Sequence, residues 1–143
     1  MLKTKLLHPL ILDALGRAGH GSRVLVSDGN YPHSTRRGSN AAIVFLNLAP
    51  GMLTVTDVLR AIVDAIPIEA AAVMAPPKPA HDPEIWSELA SILHDGGAPS
   101  AFVRLDREAF YEAASGTDVC LVIATGEQRI YANLLLTIGV VAP

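Results

Sequence analysis

The sequence predicts an α/β fold: a three-layer sandwich in which a mainly parallel sheet of about six strands carries helices on both faces. Three observations point there. Short runs rich in valine, leucine and isoleucine recur along the chain, stretches with apolar residues at helical spacing separate them, and glycine, proline, asparagine or aspartate marks most junctions. The chain has 143 residues and half of them are apolar, so residues 1–143 are expected to form one domain with a full core.

Pro9 suits the first turn of a helix, Leu10, Ile11, Ala14, Leu15 and Ala18 share one stripe, and Gly19 stops the helix directly before His20. Arg23–Ser27 is short, apolar and bounded by Gly-Ser and Asp-Gly turn signals, which predicts a buried strand with Asp28 at its C-terminal end. Residues 42–48 form a second strand, and the loop between carries His33, Arg36, Arg37 and Gly38. Thr54 and Asp57 have the spacing of a capping box, and Leu59, Ile62, Val63 and Ile66 continue a helix to Pro67. Ile68–Met74 is the third strand, ended by the stiff segment Ala75-Pro76-Pro77-Lys78-Pro79. Asp82, Pro83 and Glu84 start a helix that buries Ile85, Trp86, Leu89, Ile92 and Leu93 and ends at Gly96-Gly97. Residues 101–105 form the fourth strand, Asp106 caps a short helix to about Ala114, and Val119–Ala124 is the fifth strand. After a polar turn at 125–130, residues 131–137 are apolar enough for a sixth strand, although their length would also allow a helix. In such a sheet, ligands sit outside the carboxyl ends of the parallel strands.

Composition narrows the function. Fourteen acidic and eleven basic residues are spread along the chain and leave a net charge of −3, which offers nucleic acid no electrostatic footprint. Cys120, the one cysteine, lies in an apolar run and reads as a buried structural thiol, so neither a disulfide framework nor a cysteine zinc site is expected. His8, Pro9 and Asp13 interrupt the N-terminal stretch too early for a signal peptide, and no apolar run approaches the ~18 residues of a membrane span. A soluble, cytoplasmic protein is expected. Charged residues make up only 17%, low for the fully wet surface of a small domain, which suggests large subunit interfaces. His8, His20, His33, His81 and His94 show no ligand spacing, so no metal is expected, and neither a serine-nucleophile elbow nor a phosphate-binding glycine loop is present.

Two segments carry candidate chemistry. His20 between Gly19 and Gly21 sits where the backbone turns sharply and a ligand approaches closely, and imidazole exchanges protons near neutrality; a plain helix-capping histidine is the competing reading. Asp28 follows within a few residues, either as an ordinary turn aspartate or as the carboxylate of a His-Asp pair that orients the imidazole or accepts hydroxyls. Tyr131 and Asn133 are one residue apart, so on a strand they share a face and present a ring, a phenol and a carboxamide, groups that grip a polyol. Arg107, at the start of the fourth helix, offers a fork of donors or simply faces solvent.

Taken together, the leucine-rich first helix, Gly19-His20-Gly21, the Ser27-Asp28 turn ending in Pro32, and Thr125-Gly126-Glu127 through Tyr131-Ala132-Asn133 to Gly139-Val140 resemble the ribose pyranase and fucose mutarotase family over nearly the whole chain. Arg107 with Ala109-Phe110-Tyr111-Glu112 is similar to the fucose mutarotase branch. The resemblance implies a cofactor-free isomerase that interconverts the anomers, or the pyranose and furanose forms, of L-fucose or a related monosaccharide. It implies that His20 and Asp28 are catalytic and that Asp28, Arg107, Tyr131, Ala132 and Asn133 bind the sugar. A D-ribose pyranase and a non-catalytic monosaccharide-binding or transport-accessory module are the alternatives. It further implies a homo-oligomer, pentamer or decamer, with sites at subunit contacts. Gly29, Asn30 and Tyr31 replace the alanine, histidine and phenylalanine usual in that branch, which points to a different sugar preference.

Overall fold

A computed structural model describes residues 1–78 and 81–143. The chain runs α1 (Pro9–Arg17), β1 (Arg23–Ser27), β2 (Ala42–Phe45), α2 (Val55–Ile62), β3 (Ile68–Met74), α3 (Ile85–Asp95), β4 (Phe102–Leu105), α4 (Arg107–Ala114), β5 (Val119–Ala124) and β6 (Leu134–Ile138). The strands join in the order β2-β5-β1-β6-β3-β4. Five run the same way, and β6 lies antiparallel to both of its neighbours, β1 and β3. The carboxyl ends of β1 to β5 and the start of β6 therefore meet at one edge of the sheet.

Alternation along the strands sorts the core into two layers. Val24, Val26, Leu121, Ile123, Leu134 and Leu136 face α1, α2 and α3, while Leu25, Val122, Leu135 and Met74 face α4 through Phe110 and Ala114. Each such aliphatic side chain contributes roughly 1.5–3 kcal/mol by leaving water. Helices thus cover both faces as expected, three against one.

Local chemistry accounts for the boundaries. Thr54 and Asp57 form the reciprocal capping box, and Asp106 accepts from the Ala109 amide at 2.9 Å. Four expectations need correction. β2 stops at Phe45, and α2 ends at Ile62, with residues 63–66 continuing only as a turn. Asp82 caps nothing: its carboxylate grips the Arg104 guanidinium through two 2.7 Å bonds, and α3 begins later, behind Glu84. Residues 131–133 precede β6 rather than belonging to it, because Tyr131 takes a left-handed φ of 59° that no strand accommodates. Of the segment 75–79, Pro79 lies outside the described residues.

Candidate active site

At the carboxyl edge of the sheet, a cavity of about 290 Å³ is lined by Asp28, Asn30, Tyr31, Met74, Arg107, Tyr111, Ile130, Tyr131 and Asn133. This is near the lower limit of ligand pockets, which run from about 300 Å³ upward, and fits a small ligand. Asp28 arrives from the end of β1, Met74 from the end of β3, Arg107 and Tyr111 from successive turns of α4, and Tyr131 and Asn133 from the turn entering β6. Four of the sequence-predicted residues, Asp28, Arg107, Tyr131 and Asn133, are brought together here. Ala132 is fully buried between two of them and supplies spacing rather than lining.

Asp28 and Asn133, 105 residues apart, lock each other. The Asp28 amide donates to Asn133 Oδ1 at 3.0 Å, and Asn133 Nδ2 donates to Asp28 Oδ2 at 2.9 Å. The Asn30 amide donates to the other carboxylate oxygen at 3.0 Å. Burial still dominates and raises the Asp28 pKa above its ordinary value, against the lowering effect of those hydrogen bonds. The cavity thus holds a carboxyl group shifted toward neutrality, the usual direction for a group that passes protons.

Tyr131 is held in its left-handed conformation by the Trp86 indole, whose Nε1–H donates to the Tyr131 carbonyl at 3.0 Å. The turn before it is anchored by Glu127. This buried carboxylate accepts from the Gln128 and Arg129 amides at 3.0 Å each and from the Arg129 guanidinium at 2.9 and 2.7 Å. Burial pushes the Glu127 pKa up, but the Arg129 side chain and amide outweigh it and leave it below the ordinary value. Gly126 is required where the turn crosses the 49–52 loop, since a Cβ there would stand 2.0 Å from the Met52 carbonyl oxygen.

His20 is elsewhere. It precedes β1, whereas Asp28 follows it, so five strand residues at about 3.3 Å each separate the two within one chain. The expectation of a His-Asp pair at one end of the sheet is corrected accordingly: in a single chain they occupy opposite edges. His20 Nε2 instead donates to Glu69 Oε2 at 3.0 Å, at the start of β3, and both side chains are substantially exposed. The carboxylate fixes the proton on Nε2 and leaves Nδ1 as the free position.

Sequence reading missed three participants. Glu69 gave no signal because the starts of β1 and β3 reach one edge only through β6, which pairs antiparallel with each of them. Tyr31 and Tyr111 entered the sequence analysis only through the family resemblance, with no role of their own, and they stack edge-on at 5.7 Å to form one wall of the cavity. Tyr31 is buried, its hydroxyl donates to the Arg36 carbonyl at 2.7 Å, and burial raises its pKa. Arg36 in turn places its guanidinium 5.2 Å from the Tyr111 ring centre. His33, from the same loop, packs on Tyr31 and Phe45 with Nε2 2.8 Å from Ser27 Oγ, and burial lowers its pKa. Among the described residues no three His, Cys, Asp or Glu side chains gather as a metal site would need, and no helix is long and apolar enough to cross a membrane.

Comparison with known proteins agrees over nearly the full length. The model of the RbsD / FucU transport protein family matches residues 1–141. A fucose mutarotase from Homo sapiens is 32% identical over 146 residues, covering 96% of this chain and 91% of its own. Among solved structures, the fucose mutarotase of Streptococcus pneumoniae in complex with L-fucose superposes with a TM-score of 0.84 at 26% identity, covering 99% of this chain and 100% of that one. FucU from Bifidobacterium longum gives 0.79 at 33% identity, covering 94% and 95%.

Proposed function

The chain belongs to the RbsD / FucU transport protein family, and from that membership and the cavity's chemistry we propose that it is a sugar mutarotase that works without a cofactor on L-fucose or a related monosaccharide. The observation that carries the reading is the convergence of a buried carboxyl whose pKa is raised, two carboxamides, three phenols and a guanidinium on one small cavity at the carboxyl edge of the sheet. Such a set binds hydroxyls and moves protons.

Ring opening breaks the bond between the anomeric carbon and the ring oxygen. The anomeric hydroxyl gives up its proton as the carbonyl forms, and the ring oxygen takes one up; closure on the other face reverses both transfers. In this reading Asp28 exchanges one of these protons and grips a neighbouring hydroxyl. Arg107, Tyr131 and Asn133 orient the ring, and the Tyr31–Tyr111 wall takes its C–H face. General acid–base assistance of this kind contributes roughly 10² to 10⁴ in rate.

The second proton carrier is His20, with Glu69 holding its tautomer. Because His20 lies at the far edge of its own sheet, it serves the cavity of a neighbouring copy, which makes the working unit a homo-oligomer. Exposed apolar residues support this, including Ile130 at the lip of the cavity, 67% exposed, and Leu10, Phe45 and Val103. Saturation-transfer NMR on fucose, ribose, galactose and arabinose tests the function. Accelerated anomeric exchange for at least one sugar, abolished in His20→Ala, is expected; binding that survives with no exchange would establish the non-catalytic module instead.

A further inference from the structure

Beside the monosaccharide cavity lies a second one of about 410 Å³, formed by Gly29 and Asn30 after β1, Asn47 to Pro50 after β2, and Thr125 to Gln128 after β5. The two cavities share Asn30 as a common wall. We propose that this second cavity is a carbohydrate subsite, so that the enzyme takes the reducing end of a disaccharide or longer oligosaccharide as well as a free monosaccharide. The proposal rests on the mutarotase reading of the first cavity.

The lining selects the ligand class. Three carboxamides, Asn30, Asn47 and Gln128, surround the space, and none of their side-chain amides has a hydrogen-bond partner among the described residues; only the backbone amides of Asn30 and Gln128 are engaged. A carboxamide donates and accepts at once, which matches hydroxyl groups and not an ion. The one charged residue in the lining, Glu127, has both oxygens committed to Arg129 and to the turn amides. A phosphate or a carboxylate would find no free cation here. Gly29 and Gly126 contribute no side chains to the floor, and the close approach of the Met52 and Ala49 carbonyls to Gly126 forbids one. Leu48 and Pro50 add an apolar wall. A flat floor, an apolar wall and a rim of amides suit a pyranose, whose C–H faces are apolar and whose edge is hydroxylated.

Chemistry sets the orientation. Only a free anomeric carbon mutarotates, so the reducing unit occupies the cavity with Asp28, and the second unit, attached through a non-anomeric oxygen of the first, passes Asn30 into the amide-lined space.

Saturation-transfer NMR on matched pairs tests this: glucose against cellobiose and maltose, galactose against 1,4-linked galactobiose, and arabinose against arabinobiose. At least one disaccharide should exceed its reducing-end monosaccharide in kcat/KM by about tenfold, the worth of one or two hydrogen bonds. Asn47→Ala and Gln128→Ala, both exposed positions outside the first cavity, should remove that advantage and leave the monosaccharide rate intact. Monosaccharide exchange with no disaccharide advantage overturns the subsite alone. Equal loss for both classes in the variants, or a change in their sedimentation, overturns it too, since the surface would then be an interface between copies. Exchange with neither class overturns the mutarotase reading and the subsite with it.

Discussion

Asp28 and Asn133 are each other's main support, and the cost of separating them follows from their burial. Asn133→Ala would leave the Asp28 amide and one carboxylate oxygen without their partners at a position where both residues are buried. Each stranded group costs about 1–3 kcal/mol, so the urea midpoint should fall and exchange activity should drop together. The Asp28 carboxyl also leaves a pH signature. Its folded pKa is raised, so the folded state holds this proton more tightly than the unfolded chain does, and the stability it contributes is lost as pH rises from about 3.8 through the folded value. Asp28→Asn removes that slope. Urea titrations from pH 4 to 8 should show the wild type losing ground to the variant as pH rises and then keeping a constant gap; parallel curves throughout would show that Asp28 titrates normally. Asp28 was legible from the sequence because a turn aspartate at a strand end is a local signal. Its bond to Asn133 was not, since nothing in two short segments 105 residues apart states that β1 and β6 are neighbours.

Among the elements, the turn from 125 to 131 determines where the site's aromatic lip sits. Its shape depends on Glu127, a buried carboxylate whose charge is tolerable only beside Arg129, and Arg129 ties the turn to α3 through Glu88 at 2.9 Å. Arg129→Met would strand that charge. Because Arg129 is itself 44% exposed, solvent screens part of the loss, and a destabilisation of about 1–3 kcal/mol at neutral pH is expected. The Glu127 pKa is lowered in the fold, so the pair's contribution is present above about 4.5 and is lost as pH falls through the folded value. The deficit of Arg129→Met should therefore shrink on acidification; thermal unfolding at pH 7 and pH 4 measures it. A deficit that stays constant would assign the loss to packing. The strands and helices were readable because periodicity and punctuation are local: β1, β3 and β5 fall on the expected residues, and the capping box at Thr54 is formed. The polar turn at 125–130 was readable as a turn, but the conformation at its end was not. Tyr131 adopts its left-handed backbone because the Trp86 indole and the Glu127 clamp over-determine it, and a tyrosine carries no intrinsic preference that would announce this.

At the scale of the whole molecule, sheet topology bears on the proposed assembly. Five strands point the same way, so the residue before β1 and the residue after it are forced to opposite edges, and no rotamer of His20 spans the strand between them. If His20 and Asp28 both act on one sugar, they come from different copies. Variants with His20→Ala and with Asp28→Ala should then each be inactive alone, yet regain activity when dissociated, mixed and reassembled, because some contacts unite an intact His20 with an intact Asp28. In a ring with one kind of contact and random mixing of equal amounts, a site regains both groups when its Asp28 comes from one variant and its His20 from the other, which occurs at about one site in four. Activity near a quarter of the wild-type value, measured by NMR exchange on the reassembled mixture, is the expected result. Full activity of His20→Ala alone would mean that His20 has no part in the reaction, and no recovery in mixed oligomers demonstrated by native mass spectrometry would mean that His20 and Asp28 do not meet at a contact between copies.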